Sequence, residues 1–395
     1  MRLTASPLVG STCAGSPTGK GASVSKTTGQ GEREYRREEL LKLAALAGGA
    51  AILGGPAAAI AKAAGTSTTS ESGRLQVLDW VGYGNDGGQA MFAQYVKTHP
   101  HNKPQFTHMT NESDALAKLH AGQKPDLFRP YVGWVKYFAQ SGLVQPWNPK
   151  LIKNFKHLNP FMVKAGQFGG KQYGIPDDWG FDAILYRSDK VHPKSKSWGL
   201  LFDDRYKGKI AWYDDLEMLV MAGLYLKVPK PWHQTDEQLK RSQDLLIKKK
   251  HLARLIWASE SDLWQAFGSG ELWIAYAWPN DWVQMKNKHL KVVYMRPKEK
   301  PIAWVGMFML LKGTPRAHLA HAYVDAWSSA KSGKWLENNY GYGHANTLAR
   351  PSSSALLKAL QLTNPKAVTE PAAHLDRDIP RRATYAKLWE EVKAS

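Results

Sequence analysis

The sequence predicts an α/β protein, on two observations: strand-like and helix-like patterns alternate from residue 75 onward, and the short apolar runs are bounded by turn residues. An apolar content of 43% over 395 residues allows two ordinary domains, or one large one, with a real core. Leu75–Val81 reads as a strand, Gly88–Thr98 as a helix, Gln105–Met109 as a strand, Ser113–Ala121 as a helix and Asp126–Phe128 as a short buried strand. Asn111, Glu112, Ser113 and Asp114 place cap residues ahead of the apolar Leu116 and Leu119, as a helix start requires. An aromatic helix, Trp134–Ser141, stops at Gly142, and Pro146 and Pro149 break the chain again. A second set follows: strands at Ala183–Tyr186 and Lys209–Tyr213, then a long helix over Leu216–Leu226. The helix predicted over Asp236–Lys250 is amphipathic, with Leu239, Leu245 and Leu246 inward, and Ser261–Gly268 is shorter. Strands at Ala275–Trp278, Lys291–Met295 and Met307–Leu311 and helices at Ala317–Ser329 and Arg382–Val392 complete the pattern, without internal repeats.

The amino-terminal region reads as an address. Arg36-Arg37-Glu-Glu-Leu40-Leu41-Lys42 precedes an Ala/Gly-rich apolar stretch, Leu43 to Ile60, and small residues at Ala59, Ala61 and Ala63. This resembles a twin-arginine export signal with small-residue cleavage sites. The chain is therefore expected to divide into a leader over 1–65, a linker over 66–74 and a mature part that works outside the cytoplasm. The only cysteine, Cys13, falls in the leader, so the mature part has no disulfide framework. Residues 1–65 carry eight Lys/Arg and four Asp/Glu, a net of +4, so the formal charge of +19 becomes +15 after their removal. The lysines behind that charge are scattered and no nucleic-acid motif accompanies them, so nucleic acid is not an expected partner.

Carboxylates recur beside flat aromatic rings. Trp212-Tyr213-Asp214-Asp215 ends an apolar run, and Trp80, Asp178-Trp179 and Trp278-Pro-Asn-Asp281 repeat the theme. Charge pairing and the ring quadrupole together suit an organic cation. Trp80, Trp134, Trp179, Trp278 and Trp304 fall at strand ends or loop starts, where an α/β domain places ligand contacts. Trp257, Trp264, Trp327, Trp335 and Trp389 read as core. The run Gly82–Gly87 matches G-x-G-x-x-G after a predicted strand, which leaves an exported nucleotide-dependent oxidoreductase as an alternative. Tyr83 fills the loop where phosphate should meet backbone, which counts against it. The histidines do not converge into a metal site, and neither a hydrolase motif nor a mature cysteine nucleophile is present.

The order of motifs from Leu75 onward resembles the extracytoplasmic solute-binding proteins of spermidine/putrescine ABC transporters. The marks are Leu78-Asp-Trp80-Val-Gly-Tyr83, Pro125-Asp126-Leu-Phe-Arg-Pro130, Tyr173-Gly-Ile-Pro176-Asp-Asp-Trp179-Gly180, Ser197-Trp198-Gly-Leu-Leu-Phe and Tyr206-Lys-Gly208. Asp214-Asp215, Gly270-Glu271-Leu-Trp-Ile-Ala-Tyr-Ala-Trp278, Val292-Val-Tyr-Met-Arg-Pro297-Lys-Glu299 and Tyr340-Gly341-Tyr342 follow in order. The resemblance implies a two-lobed periplasmic-binding-protein fold of type II, with lobe 1 over 75–185 and 279–315 and lobe 2 over 186–278 and 316–395. Crossings would fall near Tyr186 and Trp278. It further implies a monomer without catalysis, cofactor or metal, which holds a polyamine-like cation between the lobes and hands it to an ABC permease. Carried over by motif, the ligand residues are Trp80, Tyr83, Tyr131, Trp134, Asp215, Trp278, Asp281, Trp304 and Tyr342, with Asp178 and Trp179 as further candidates. Met218 stands where such proteins carry a second acid, with Glu217 one place away; Gly133 stands where an aromatic is usual; and Asp177, Asp178 and Asp182 are extra acids that could compensate.

Overall fold

The computed structural model describes residues 71–84, 88–349, 354–360, 365, 374–375 and 378–395, all within the unit Tyr35–Ser395. The unit Met1–Glu34, the export-signal residues 36–64 and the last part of the Gly82–Gly87 loop lie outside the described residues. An α/β architecture is found, organised around one long strand, Gly174–Arg187. Its amino-terminal part pairs antiparallel with Ile302–Leu311, and its carboxy-terminal part pairs antiparallel with Ile274–Ala277 and Val292–Met295. On the first side the order runs Gln105–Met109, Gln76–Trp80, Leu127–Phe128, Ile302–Leu311, then the long strand. On the second it runs from the long strand through Ile274–Ala277 and Ile210–Tyr213 to Ala253–Trp257.

Sequence pattern marks only the end of this strand, because Gly174, Pro176, Gly180 and three aspartates argue against one. The ladder tolerates them: Pro176 lies opposite Met307, where the partner strand shifts register between Val305 and Met307. Gly180 is required by packing, since a Cβ there would lie 2.5 Å from Trp304 Cζ2. Strand Ala253–Trp257 and helices Pro279–Asn287 and Ala330–Asn339 were also not expected. Predicted caps are found: Asn111 accepts from the Asp114 amide at 2.9 Å, and Gly142 ends its helix at φ 74°.

Sheet pairing takes the chain from the first side to the second within Gly174–Arg187, and back between Met295 and Ile302. The second crossing thus lies later in the chain than the expected position near Trp278. Helices Ala317–Trp327 and Ala330–Asn339 pack against Gly88–Phe92 on the first side, although the sequence reading grouped 316–395 with lobe 2. The C-terminal helix Arg382–Ala394 does pack on the second side, against Asp236–Lys249 and Glu217–Tyr225. Parallel strands in each half point their carboxyl ends the same way, so the loops that follow Trp80, Phe128, Tyr213 and Ala277 converge.

Candidate functional site

Those converging loops build an aromatic wall. Trp80 closes strand Gln76–Trp80 and its Nε1 donates to the Arg129 carbonyl at 2.8 Å, which fixes the indole. Tyr131 stacks on Trp80 with centroids 4.7 Å apart, and on Trp304 at 5.1 Å. Tyr342 meets Trp304 edge-on at 4.9 Å, and Trp278 meets Trp80 edge-on at 6.1 Å. Offset and edge-to-face contacts of this kind satisfy the ring quadrupoles and hold the rings rigid. Trp80, Tyr131, Trp278, Trp304 and Tyr342, all expected from the sequence, are therefore in one assembly.

Beside the wall lies a cavity of about 20 Å³, lined among others by Glu112, Tyr131, Trp134, Tyr213, Asp215, Glu217 and Arg382. Glu112, Tyr131 and Trp134 come from the first half, and Tyr213, Asp215 and Glu217 from the second. Tyr213 donates across to the Thr110 carbonyl at 3.3 Å, so the halves touch here. A cavity of about 20 Å³ has room for about one water and admits a larger molecule only when the halves part. Asp215 turns back to accept the Glu217 amide at 2.8 Å, and burial pushes its carboxyl up to about 6 despite the opposing pull of that amide and of Arg382. Asp214 points elsewhere: Trp389 Nε1 and Lys393 Nζ both reach its Oδ1 at 2.9 Å and tie it to the C-terminal helix.

Met218 is fully buried, and Glu217, one place before it, lines the cavity. The Tyr276 hydroxyl lies 3.0 Å from Glu217 Oε2 and 2.9 Å from Asp182 Oδ2; burial holds it well above its usual range, so it stays a donor. Asp182 also accepts from Trp304 Nε1 at 2.9 Å, which links this carboxylate to the aromatic wall. Asp281 caps the helix Pro279–Asn287 and accepts from the Trp278 amide and Trp264 Nε1, both at 2.7 Å. Burial pushes Asp281 and its neighbour Glu260 upward together, so the pair favours sharing a proton.

Other expected site residues have different partners. Arg129, fully buried, ion-pairs with Asp79 at 2.9 Å, Asp177 at 2.5 Å and Asp178 at 3.2 Å. Its guanidinium lies 3.6 Å from the Tyr83 ring centroid, and the Tyr83 hydroxyl donates to Asp178 at 2.6 Å. Tyr83 and Asp178 thus belong to this ion cluster, as does Asp177, and the described part of the glycine loop turns its side chain inward. Trp179 donates to the His344 carbonyl at 3.3 Å and packs against Gly343, whose added Cβ would lie 2.1 Å from the indole. One face of Trp134 is covered by Arg382, 3.7 Å from the ring centroid.

Glu112, Glu260, Tyr276, Arg129 and Arg382 were not among the expected site residues. Glu112 reads as one of the residues before a helix start, and both it and Glu260 lie in the first turn of a helix. Among the described residues no group of three or more His, Cys, Asp or Glu side chains is arranged to hold a metal, and no helix is long and apolar enough to cross a membrane.

Known proteins are similar to this chain in sequence and in fold. Residues 90–360 match the family described as bacterial extracellular solute-binding protein. The chain is 22% identical over 342 residues to the spermidine/putrescine-binding periplasmic protein of Escherichia coli K12, covering 86% of this chain and 97% of that protein. Its fold is similar to that of the PBP MotA from A. tumefaciens B6 in complex with glucopine, with a TM-score of 0.67, 16% identity and coverage of 81% and 99%. It is also similar to the spermidine/putrescine ABC transporter substrate-binding protein PotD from Streptococcus pneumoniae, with a TM-score of 0.59, 19% identity and coverage of 82% and 99%. The two-lobed α/β fold is that of the solved binding proteins, and the chain belongs to the bacterial extracellular solute-binding proteins.

Proposed function

We propose that this protein captures a small organic cation of the polyamine class between its lobes and delivers it to the permease of an ABC importer, after export through a twin-arginine signal. The observation that carries the reading is the convergence of Glu112, Asp215 and Glu217 on one interlobe cavity beside the Trp80, Tyr131 and Trp304 stack. Carboxylates supply the counter-charge for ammonium groups, and the rings supply a desolvated surface that favours methylene chains and cations alike. Trp80, Tyr131, Asp215, Trp278, Trp304 and Tyr342 act directly on the ligand in this reading. Tyr83, Asp178, Trp179 and Asp281 support them through hydrogen bonds and packing. Family membership favours binding without chemistry over the nucleotide-dependent oxidoreductase.

The test is calorimetric titration of the mature protein with putrescine, spermidine, γ-aminobutyrate and a neutral sugar. Saturable binding of an amine, with none of the sugar, is expected. Binding of the sugar or of an anion, with no amine bound, overturns the cation reading and leaves the fold and family untouched.

A further inference from the structure

Arg382 is a cation placed where the proposed ligand's cation belongs. It opens the C-terminal helix, is 3% exposed, and lines the same cavity as Glu112, Asp215 and Glu217. Its guanidinium carbon lies 3.7 Å from the Trp134 ring centroid, and Nη2 donates to the Gly133 carbonyl at 3.2 Å. Nε is buried without a hydrogen-bond partner. An indole face with carboxylates nearby is what an organic ammonium ion would use, and here a side chain of the protein uses it.

Building on the cation reading, we infer that Arg382 is a specificity-determining residue: a resident cation that fills one positive position of the cleft and restricts the ligand to few charges, favouring a diamine over a triamine. Three carboxylates and one guanidinium line the cavity, a formal sum of −2. Two ammonium groups balance that sum. A third would stand near the guanidinium in a space from which closure expels water, and like charges repel more strongly at low dielectric. The guanidinium is not free to withdraw, because its helix is fastened to the second half. Trp389 and Lys393 hold Asp214, and the Tyr385 hydroxyl accepts from the Gln234 amide at 2.9 Å. Arg382 therefore travels with the second half and meets Gly133 and Trp134 of the first when the lobes close.

The experiment is calorimetric titration of putrescine, spermidine and γ-aminobutyrate into the mature wild type, Arg382→Gln and Arg382→Lys, with folding of each followed by circular-dichroism melting. The wild type is expected to bind putrescine about tenfold more tightly than spermidine, Arg382→Gln to erase or reverse that ratio, and Arg382→Lys to keep it within about threefold. Equal or tighter binding of spermidine by the wild type overturns the inference, and this arm does not depend on any variant folding. So does an unchanged ratio in folded Arg382→Gln. Preference of the wild type for γ-aminobutyrate, lost in Arg382→Gln, also overturns it by making Arg382 a carboxylate partner. Failure of all three proteins to bind any amine overturns the cation reading itself.

Discussion

Arg129 and Arg382 each stand among three carboxylates, yet the two clusters are built for opposite ends. Around Arg129 the acids Asp79, Asp177 and Asp178 all lie within 3.2 Å of the guanidinium, which is buried with them. Around Arg382 the acids line a cavity, and the guanidinium spends its contacts on an indole and a backbone carbonyl. Direct pairing holds the acids of the first cluster against their cation, whereas the acids of the second face a cavity. Both join three carboxylates to one arginine; what separates them is direct ion pairing around Arg129 and a cavity beside Arg382.

Breaking the first cluster gives the largest effect. Arg129→Met leaves three buried carboxylates without their cation and is expected to cost about 3–5 kcal/mol of stability, read by chemical denaturation, since an uncompensated buried charge is severely penalised. A loss confined to ligand affinity would place Arg129 in the binding site and end the distinction.

The second cluster should answer in affinity. Asp215→Asn is expected to weaken amine binding by about 1–3 kcal/mol, because it removes a charge-assisted partner from a desolvated site. Its effect on stability has the opposite sign. Burial raises the folded-state value of Asp215 to about 6, against about 3.9 in an unfolded chain, so the folded form holds the proton more tightly. The corresponding stability is present at low pH and is lost as pH rises from about 4 through about 6. Asp215→Asn should therefore match or exceed the wild type in melting temperature at pH 7.

A pH series sharpens the point further. As pH falls below about 6, protonation of Asp215 should lower amine affinity by up to about tenfold per unit, with the wild type and Asp215→Asn converging near pH 5. Parallel curves for the two proteins would show that another group titrates. The smallest effect is expected from Asp177→Asn. Burial, with Asp178 adding repulsion, pushes the Asp177 carboxyl upward, so the neutral form is close at hand and the substitution should cost under about 1.5 kcal/mol by denaturation.

Much of the frame was legible in local pattern. Asn111 and Gly142 announced helix ends through side-chain capping and left-handed backbone, and both do so within a few residues of chain. The place of Asp215 beside the cavity was legible from the end of Ile210–Tyr213, because loops at the carboxyl ends of parallel strands converge. The strand Gly174–Arg187 was not, since its glycines, proline and aspartates are poor strand residues that only partners from 274–311 hold in a ladder. The ion pair of Asp178 was hidden for the same reason: its partner Arg129 lies far away in sequence. Glu217 lay in plain view beside Met218, but its direction depends on Tyr276.

The sequence by itself determined the α/β class, the export-type leader as an expectation, the family, and the supply of aromatic rings and acids at strand ends. These rest on short-range periodicity and motif order, which local sterics and side-chain chemistry impose. Tertiary structure alone decided how the charges are shared. It buried Arg129 with Asp79, Asp177 and Asp178, turned Asp214 to the C-terminal helix, and brought Arg382 to the cavity that Asp215 lines. The physical reason is that a carboxylate's role follows from its distance to a counter-charge and to water, and folding sets both.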